Sequence, residues 1–289
     1  MKKISIYEVG PRDGLQTIKK LVPTRMKRAL IDALRGAGLR SIETVSFAHP
    51  LYVPQMADAE RVFDGEGAAL VMNQRGMDRA VKSGVTYFNI VFSPSEEFNR
   101  RNLGCELKEA IARYMFMLEG VPKANVRVYI SCYFGCPYEG DIPMAKRIKV
   151  IQAAKLFGDT VVLSDTVGAG TEQEVEVGAG ICDKVGIRPA LHLHHKASRK
   201  EYAFSLVRKG IECGIREFDS SIGGLGGCPF VEGSPGNLAT EELVNWLNAR
   251  GHDCGVSIED LANAKRIALK IADTQTSDTK VKISKVAGI

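Results

Sequence analysis

The pair of histidines in Ala190-Leu191-His192-Leu193-His194-His195 has the most chemically specific spacing in the chain. If this apolar run is a strand, alternate side chains leave on the same side, so His192 and His194 project together. Paired imidazoles suit a metal ion, although alternation alone also accounts for two polar positions on one face. A second candidate is Arg12-Asp13, just after the first apolar run. Asp13 with His192 and His194 gives one hard carboxylate and two imidazoles. That set can hold Mg, Mn or zinc and leave positions open for substrate oxygens. The metal would be a Lewis acid holding a substrate hydroxyl as its alkoxide. Arg12 could stabilise an oxyanion or pair with Glu43 across neighbouring strand ends, and the two roles are compatible.

These residues must be positioned by a scaffold, and the hydrophobic pattern supplies one. Eight short β-branched or aromatic runs recur: Ile4 to Val9, Ser41 to Val45, Ala68 to Met72, Tyr87 to Phe92, Val126 to Cys132, Thr160 to Ser164, Ala190 to His194 and Glu217 to Ser221. Between them lie helical stretches at 24–37 (capped by Thr24), 78–82, 106–119, 143–157, 172–185 and 199–213, most stopping at glycine, with a further one at 240–249. Strand, helix, glycine, strand implies parallel pairing with right-handed crossovers. The fold class is therefore α/β, a (β/α)8 TIM barrel. An open doubly wound sheet is the competitor, but the turn after the first strand lacks Gly-x-Gly-x-x-Gly. We read residues 1–289 as one catalytic barrel domain, with about 257–289 as a C-terminal helix (Ile258 to Ile271) and tail on its outside or rim.

Chemistry in such barrels sits at the C-terminal strand ends. Those ends carry Arg12-Asp13, Glu43 leading into Ser46, Asn73, Asp165-Thr166, His192 with His194, and Ser220-Ser221. Each alone could be capping or turn chemistry; together they make a polar mouth able to take a metal. The segment Gly223 to Asn237, with six glycines, two prolines and Cys228, is long for a connector. Ordering so much glycine costs entropy, so a functional loop is expected. Such a loop could bring the Cys228 thiol to the mouth as nucleophile or proton donor, or keep it as an unreactive turn residue.

Bulk properties narrow the partners. The 289 residues are 45% hydrophobic and 25% charged, with 39 Lys plus Arg against 34 Asp plus Glu, a net charge of +5. The basic residues are scattered, which points away from nucleic acid and suits an anionic small substrate. An odd count of 7 cysteines with no leader suggests reduced thiols in the cytoplasm, and Cys132 and Cys136 read as structural. No stretch is apolar enough to suggest a membrane span. Homo-oligomerisation is left open.

Several motifs then point to one family. Glu8-Val-Gly-Pro-Arg-Asp-Gly-Leu-Gln16, Glu43-Thr-Val-Ser-Phe47, Val53-Pro-Gln-Met56, Gly135-Cys-Pro-Tyr-Glu-Gly140, Asp165-Thr-Val-Gly168, His192-Leu-His194, Gly224-Leu-Gly-Gly-Cys-Pro229 and Gly236-Asn-Leu-Ala-Thr-Glu241 span nearly the whole chain. Together they resemble 3-hydroxy-3-methylglutaryl-CoA lyase, of the wider DRE-TIM metallolyase group. The resemblance implies Asp13, His192, His194 and Asn237 as ligands of Mg2+ or Mn2+. It implies Arg12 as the group stabilising a thioester enolate, Cys228 as a catalytic acid/base and Glu43 as support. It also implies Asp165 as a catalytic or neighbouring group, and Lys19 and Gln16, with Arg12, as contacts to an acyl-CoA substrate. The implied reaction is retro-aldol cleavage to acetyl-CoA and acetoacetate, a step of leucine degradation.

One departure stands out. The family usually continues from the second His as Asp-Thr-x-Gly, whereas this chain has His195-Lys196-Ala197-Ser198. Alternation turns His195 away from His192 and His194, so it is not expected as a ligand. Smaller departures at Thr17-Ile18, Ala48-His49 and Glu242 bear on which acyl group is taken. Alternatives are a lyase for a related substrate such as citramalyl-CoA, a Claisen-type condensing synthase, or a scaffold without catalysis. The synthases carry Gly-Glu-Arg-x-Gly-Asn before the ligand Asn, and this chain does not.

Overall fold

The computed structural model describes residues 3–195, 200–226 and 236–286, with Lys200 and 274–286 described by their backbone alone. In chain order the elements are β1 Ser5–Glu8, α1 Thr24–Gly36, β2 Ser41–Ser46, α2 Ala59–Val62, β3 Ala68–Leu70, α3 Gln74–Lys82 and β4 Tyr87–Phe92. Then come α4 Glu96–Leu103, α5 Leu107–Met117, β5 Val126–Ile130, α6 Met144–Ala154, β6 Thr160–Asp165 and α7 Glu172–Val185. The chain continues with β7 Arg188–His195, α8 Lys200–Glu212, β8 Glu217–Ser220, β9 Gly236–Asn237, α9 Thr240–Asn248 and α10 Ile258–Val286.

Strands β1 to β8 pair in parallel around a circle, and the β6–β7 pairing closes it. The eight-strand TIM barrel expected from the alternating pattern is therefore the fold. Closure leaves no sheet edge and gives each strand two faces. On β5 the outward residues Val126, Val128 and Ile130 join the main apolar cluster with the helices, while Arg127 and Tyr129 turn inward. On β7 Leu191 and Leu193 are outward, and Ala190 lies inside with Leu70, Val91, Tyr129 and Val162.

The sequence reading misses some boundaries for identifiable reasons. Thr24 does not cap α1; Pro23 holds that position, and the Thr24 hydroxyl is used instead on Asp58 Oδ2 at 2.6 Å. Asn73, expected at the polar mouth, caps α3, its Oδ1 accepting from Gly76 N at 2.9 Å. That cap starts α3 at Gln74, four residues before the apolar signal. Helix α4 is unanticipated because Glu96-Glu97-Phe98-Asn99-Arg100-Arg101-Asn102-Leu103 has almost no apolar stripe. It is specified by Ser95, which accepts from Phe98 N, and by Asn99, whose side chain bonds both Ser93 N and Ser93 O. Helix α10 runs past Ile271 to Val286; Leu261, Ala264, Ala268 and Ile271 are buried in the main cluster, and it packs on α1. No helix among the described residues is long and apolar enough to cross a membrane.

Candidate active site

The chain leaves β1 through one wide turn, Gly10–Gly14, in which the N–H groups of Arg12, Asp13 and Gly14 all reach Val9 O, at 3.1, 2.8 and 3.2 Å. Pro11, with no N–H to give, fits its first positions. Turns of this i→i+5 kind recur at functional sites because they widen the helix and re-aim a side chain. Glycine is required at position 14: a Cβ there would sit 2.8 Å from both Leu225 Cβ and Ser221 Oγ. The close approach seats the turn against the segment after β8 and brings Asp13 over the barrel.

Arg12 is buried between two carboxylates. Its Nε donates to Glu43 Oε2 at 2.5 Å and its Nη1 to Asp13 Oδ1 at 2.8 Å. Glu43 is fully buried and its other oxygen accepts from Asn89 Nδ2 at 2.7 Å, while Asn89 also bonds the Tyr7 hydroxyl. The ion pair expected between Arg12 and Glu43 is thus present, and it fixes the guanidinium in place. Burial alone would raise the Asp13 carboxyl, but Arg12 and then His192 and His194 outweigh it and hold it at about 2.

Register explains the other half. In β7, His194 lies directly opposite Asn237 of β9, an antiparallel cross-strand pair. The two residues therefore face each other: His194 Nε2 is 3.1 Å from Asn237 Oδ1 and 3.1 Å from His192 Nε2. The far side of each ring settles its tautomer. His192 Nδ1 faces Asp219 Oδ2 at 3.2 Å and His194 Nδ1 faces the Thr166 carbonyl at 3.2 Å. Both acceptors take an N–H from Nδ1, so in the neutral ring each Nε2 carries its lone pair. Burial would lower the His192 imidazole, but Asp219 outweighs it and raises the group above its ordinary value. Asn237 Nδ2 donates to Asp13 Oδ2 at 2.8 Å and Leu225 O at 3.0 Å, which turns its Oδ1 toward His194.

Two imidazole nitrogens and an amide oxygen therefore converge beside the Asp13 carboxylate, an arrangement that a cation satisfies. Among the described residues, Asp13, His192 and His194 form a cluster whose ligand atoms all lie within 4.8 Å of one another. Burial, and then His192, push His194 down to about 4, so it is a neutral imidazole ready to ligate. The donor set fits a divalent ion bound by mixed oxygen and nitrogen.

A model of the family described as HMGL-like matches residues 3–268. The chain belongs to the HMGL-like family. It is 37% identical over 288 residues to mouse mitochondrial hydroxymethylglutaryl-CoA lyase, covering 96% of this chain and 88% of that one. It is also 37% identical over 275 residues, 91% of each chain, to a Pseudomonas aeruginosa protein named 3-hydroxy-3-isohexenylglutaryl-CoA/hydroxy-methylglutaryl-CoA lyase. Among solved structures, an HMG-CoA lyase from Acinetobacter baumannii in complex with coenzyme A and 3-methylmalate superposes with a TM-score of 0.84 at 30% identity, covering 93% of this chain and 91% of that one.

The HMGL-like motifs do not all meet at one point. Gln16 is exposed at the mouth and its Nε2 donates to Asp13 Oδ1 at 3.2 Å. Lys19 is exposed on the segment that follows. Asp165, expected in the catalytic set, is not brought into it. In the β6–β7 register Ser164 is level with His192, and Asp165 is level with outward-facing Leu193. Its carboxylate accepts from Ala169 N, Gly170 N and the Tyr202 hydroxyl, at 2.9, 3.1 and 2.5 Å. It thereby holds the turn from which Thr166 offers its carbonyl to His194. His195 is buried and turned off the ligand face by the alternation of β7, while Lys196-Ala197-Ser198 and Cys228 lie outside the described residues.

Sequence reasoning misses Asp219, which is fully buried and holds His192 while accepting from Tyr129 OH at 2.8 Å and Arg127 Nη2 at 2.5 Å. A usable signal was available: in Glu217-Phe218-Asp219-Ser220 the carboxylates alternate with an apolar residue, which places them inside the barrel. Cys132 and Cys136 are buried as expected, and desolvation pushes the Cys132 thiol up to about 12, away from reactivity.

Proposed function

We propose that this carbon–carbon lyase cleaves 3-hydroxy-3-methylglutaryl-CoA to acetyl-CoA and acetoacetate, with Mg or Mn held by Asp13, His192, His194 and Asn237. The observation that carries the reading is the convergence of the His192, His194 and Asn237 lone pairs beside Asp13, next to a clamped Arg12. The names of the relatives support the substrate. A bound divalent ion would supply Lewis acidity toward the tertiary hydroxyl of the substrate.

Each residue then has a part in a balanced retro-aldol step. A base at the mouth takes the proton of the hydroxyl, its carbon becomes the ketone of acetoacetate, and the pair of electrons from the broken C–C bond passes to the thioester as an enolate. Arg12 keeps a fixed positive charge for that enolate oxygen; clamped by Glu43 and Asp13, it needs no reorganisation when the charge develops. Cys228, carried on the glycine-rich segment, returns a proton to the enolate carbon. Gln16 and Lys19, both exposed on the segment after the Arg12–Asp13 turn, would contact the acyl-CoA. The cytosol belongs to the same proposal, because the 6 cysteines among the described residues are all free thiols, as a reducing compartment keeps them. So does a place in leucine degradation.

Purified protein loaded with Mg or Mn should release acetyl-CoA and acetoacetate from this substrate, and chelation should abolish the release. The Pseudomonas relative is named for two substrates that differ at the 3-substituent, so an acyl-CoA panel including citramalyl-CoA defines the preference. No cleavage anywhere in the panel with metal bound would overturn the proposal. Net formation of free CoA from acetyl-CoA and a 2-oxo acid would reassign the chain to the condensing synthases.

A further inference from the structure

The opposite end of the barrel holds a cavity of about 420 Å³ that no part of the proposed reaction uses. It is lined by the first residues of β2 through β8 and floored by Tyr7, Asn89 and Arg127. Its volume falls in the range of small-molecule sites, whereas the base of such a barrel ordinarily serves stability alone. Its charges are unbalanced. Arg40, Arg127 and Arg188 line it against one carboxylate, Glu217. Neither Arg40 nor Arg188 has a side-chain partner among the described residues, and both are exposed at its rim.

Arg127 supplies an independent observation. It is 8% exposed, its Nη2 pairs with Asp219 and its Nη1 with Glu217, and its guanidinium lies 4.1 Å from the centroid of the Tyr7 ring. Its Nε is buried without a hydrogen-bond partner among the described residues. A buried charged donor left unpaired is costly, so the groups around this guanidinium do not fully satisfy it. Guanidinium groups recognise planar or tetrahedral oxyanions by paired N–H donation, and Ser41, Asn125 and Thr160 add neutral polar groups to the wall. Glu217 and Asp219 both pair with Arg127, so among the described residues the unpaired positive charge is that of Arg40 and Arg188 at the opening.

We propose that the base of the barrel is a binding site for a compact dianion carrying a carboxylate or phosphate group. The site is separated from the catalytic mouth by the layer containing Tyr7, Asn89 and Arg127, so it is not a subsite for the acyl-CoA. The proposal is independent of the identity of the reaction, and its test reads binding rather than turnover.

Isothermal titration with malonate and with inorganic phosphate, at constant ionic strength, should give a saturable isotherm in the wild type. The R40A/R188A double variant should bind at least tenfold more weakly, while its affinity for Mn at the mouth stays within twofold of wild type. Both arginines are exposed, so the variant keeps its fold, checked by an unchanged circular dichroism spectrum. The tighter of the two probes identifies the oxyanion class. Isotherms indistinguishable between wild type and variant would overturn the proposal, as would heats that follow ionic strength in the way sodium chloride does.

Discussion

The two faces of the same eight strands do different work. Outward residues such as Ile6, Val128, Leu163, Leu191 and Phe218 belong to one apolar cluster with the helices. Inward residues of β1, β2, β4, β5, β7 and β8 include Tyr7, Glu43, Asn89, Arg127, Tyr129, His192 and Asp219, all buried and linked by hydrogen bonds or ring contacts. Apolar burial outside stabilises the fold without directing any group, because the hydrophobic effect is non-directional. The polar interior is costly to desolvate, and it is retained where its bonds fix particular atoms. One column runs Tyr7, Asn89, Glu43, Arg12; another runs Arg127, Asp219, His192. Each ends on a group proposed for catalysis.

The largest effects should come from the top of those columns. His194→Ala removes the imidazole facing both His192 and Asn237, and it should lower kcat/KM by on the order of 10³-fold or more, with Mn affinity falling in parallel. The folded fraction and Tm should change little by comparison, since His194 lies at the rim, and titration with Mn followed by assay checks both. Retention of activity in H194A would place the chemistry elsewhere in the mouth.

One step deeper, Asp219→Asn breaks the support rather than the ligand. It removes the anion that fixes the His192 tautomer and leaves Arg127 with one counter-charge fewer. Loss of such a support costs about 10- to 100-fold in metal affinity or activity, and breaking a buried ion pair destabilises by about 3–5 kcal/mol. Both should appear together, read by Mn titration and by urea unfolding. A variant that lost stability but kept wild-type Mn affinity would show that the column is structural only.

The outer face predicts the reverse split. Leu34, fully buried on α1 against the barrel, contributes only packing. Leu34→Ala should cost about 2–5 kcal/mol in unfolding free energy, yet kcat/KM per folded molecule should stay within about twofold. A large kcat defect in L34A would show that the two faces are coupled after all.

What was legible in the sequence follows the same division. The barrel could be read because outward residues impose a pattern on every strand, and Tyr87–Phe92 and Glu172–Val185 match their predicted spans. His192, His194, Asp13 and Arg12 could be read because each follows an apolar run and carries chemistry. Asp219 was hidden because its importance lies in contacts to Arg127 and His192, which are far away in sequence. Asp165 was misplaced because strand-end position alone does not say which face a side chain takes; the register with β7 does. Helix α4 was hidden because caps at Ser95 and Asn99, not an apolar stripe, define it.

Glu8 is the sharpest test, because it is a fully buried carboxylate on the outer face. In the β1–β8 register Tyr7 is level with inward Asp219, which turns Glu8 outward beneath α9. There it accepts from Gly10 N at 2.8 Å, Ile222 N at 2.9 Å and Thr240 Oγ1 at 2.5 Å, tying the Arg12–Asp13 turn to both flanks of the glycine-rich segment. Burial raises its carboxyl to about 7 despite these donors. Since the unfolded chain titrates near 4.5, the folded state holds the extra proton between those values. The resulting stabilisation is full below about pH 4.5 and is lost as pH rises through about 7. Glu8→Gln removes this titration, so the difference in unfolding free energy between variant and wild type should shift in favour of the variant by up to about 3 kcal/mol from pH 5 to pH 8. If the two proteins instead keep a constant difference over that range, Glu8 stays ionised throughout, and its three donors outweigh its burial. The outer face would then hold a charge as securely as the inner one, and the division between the faces would rest on packing alone.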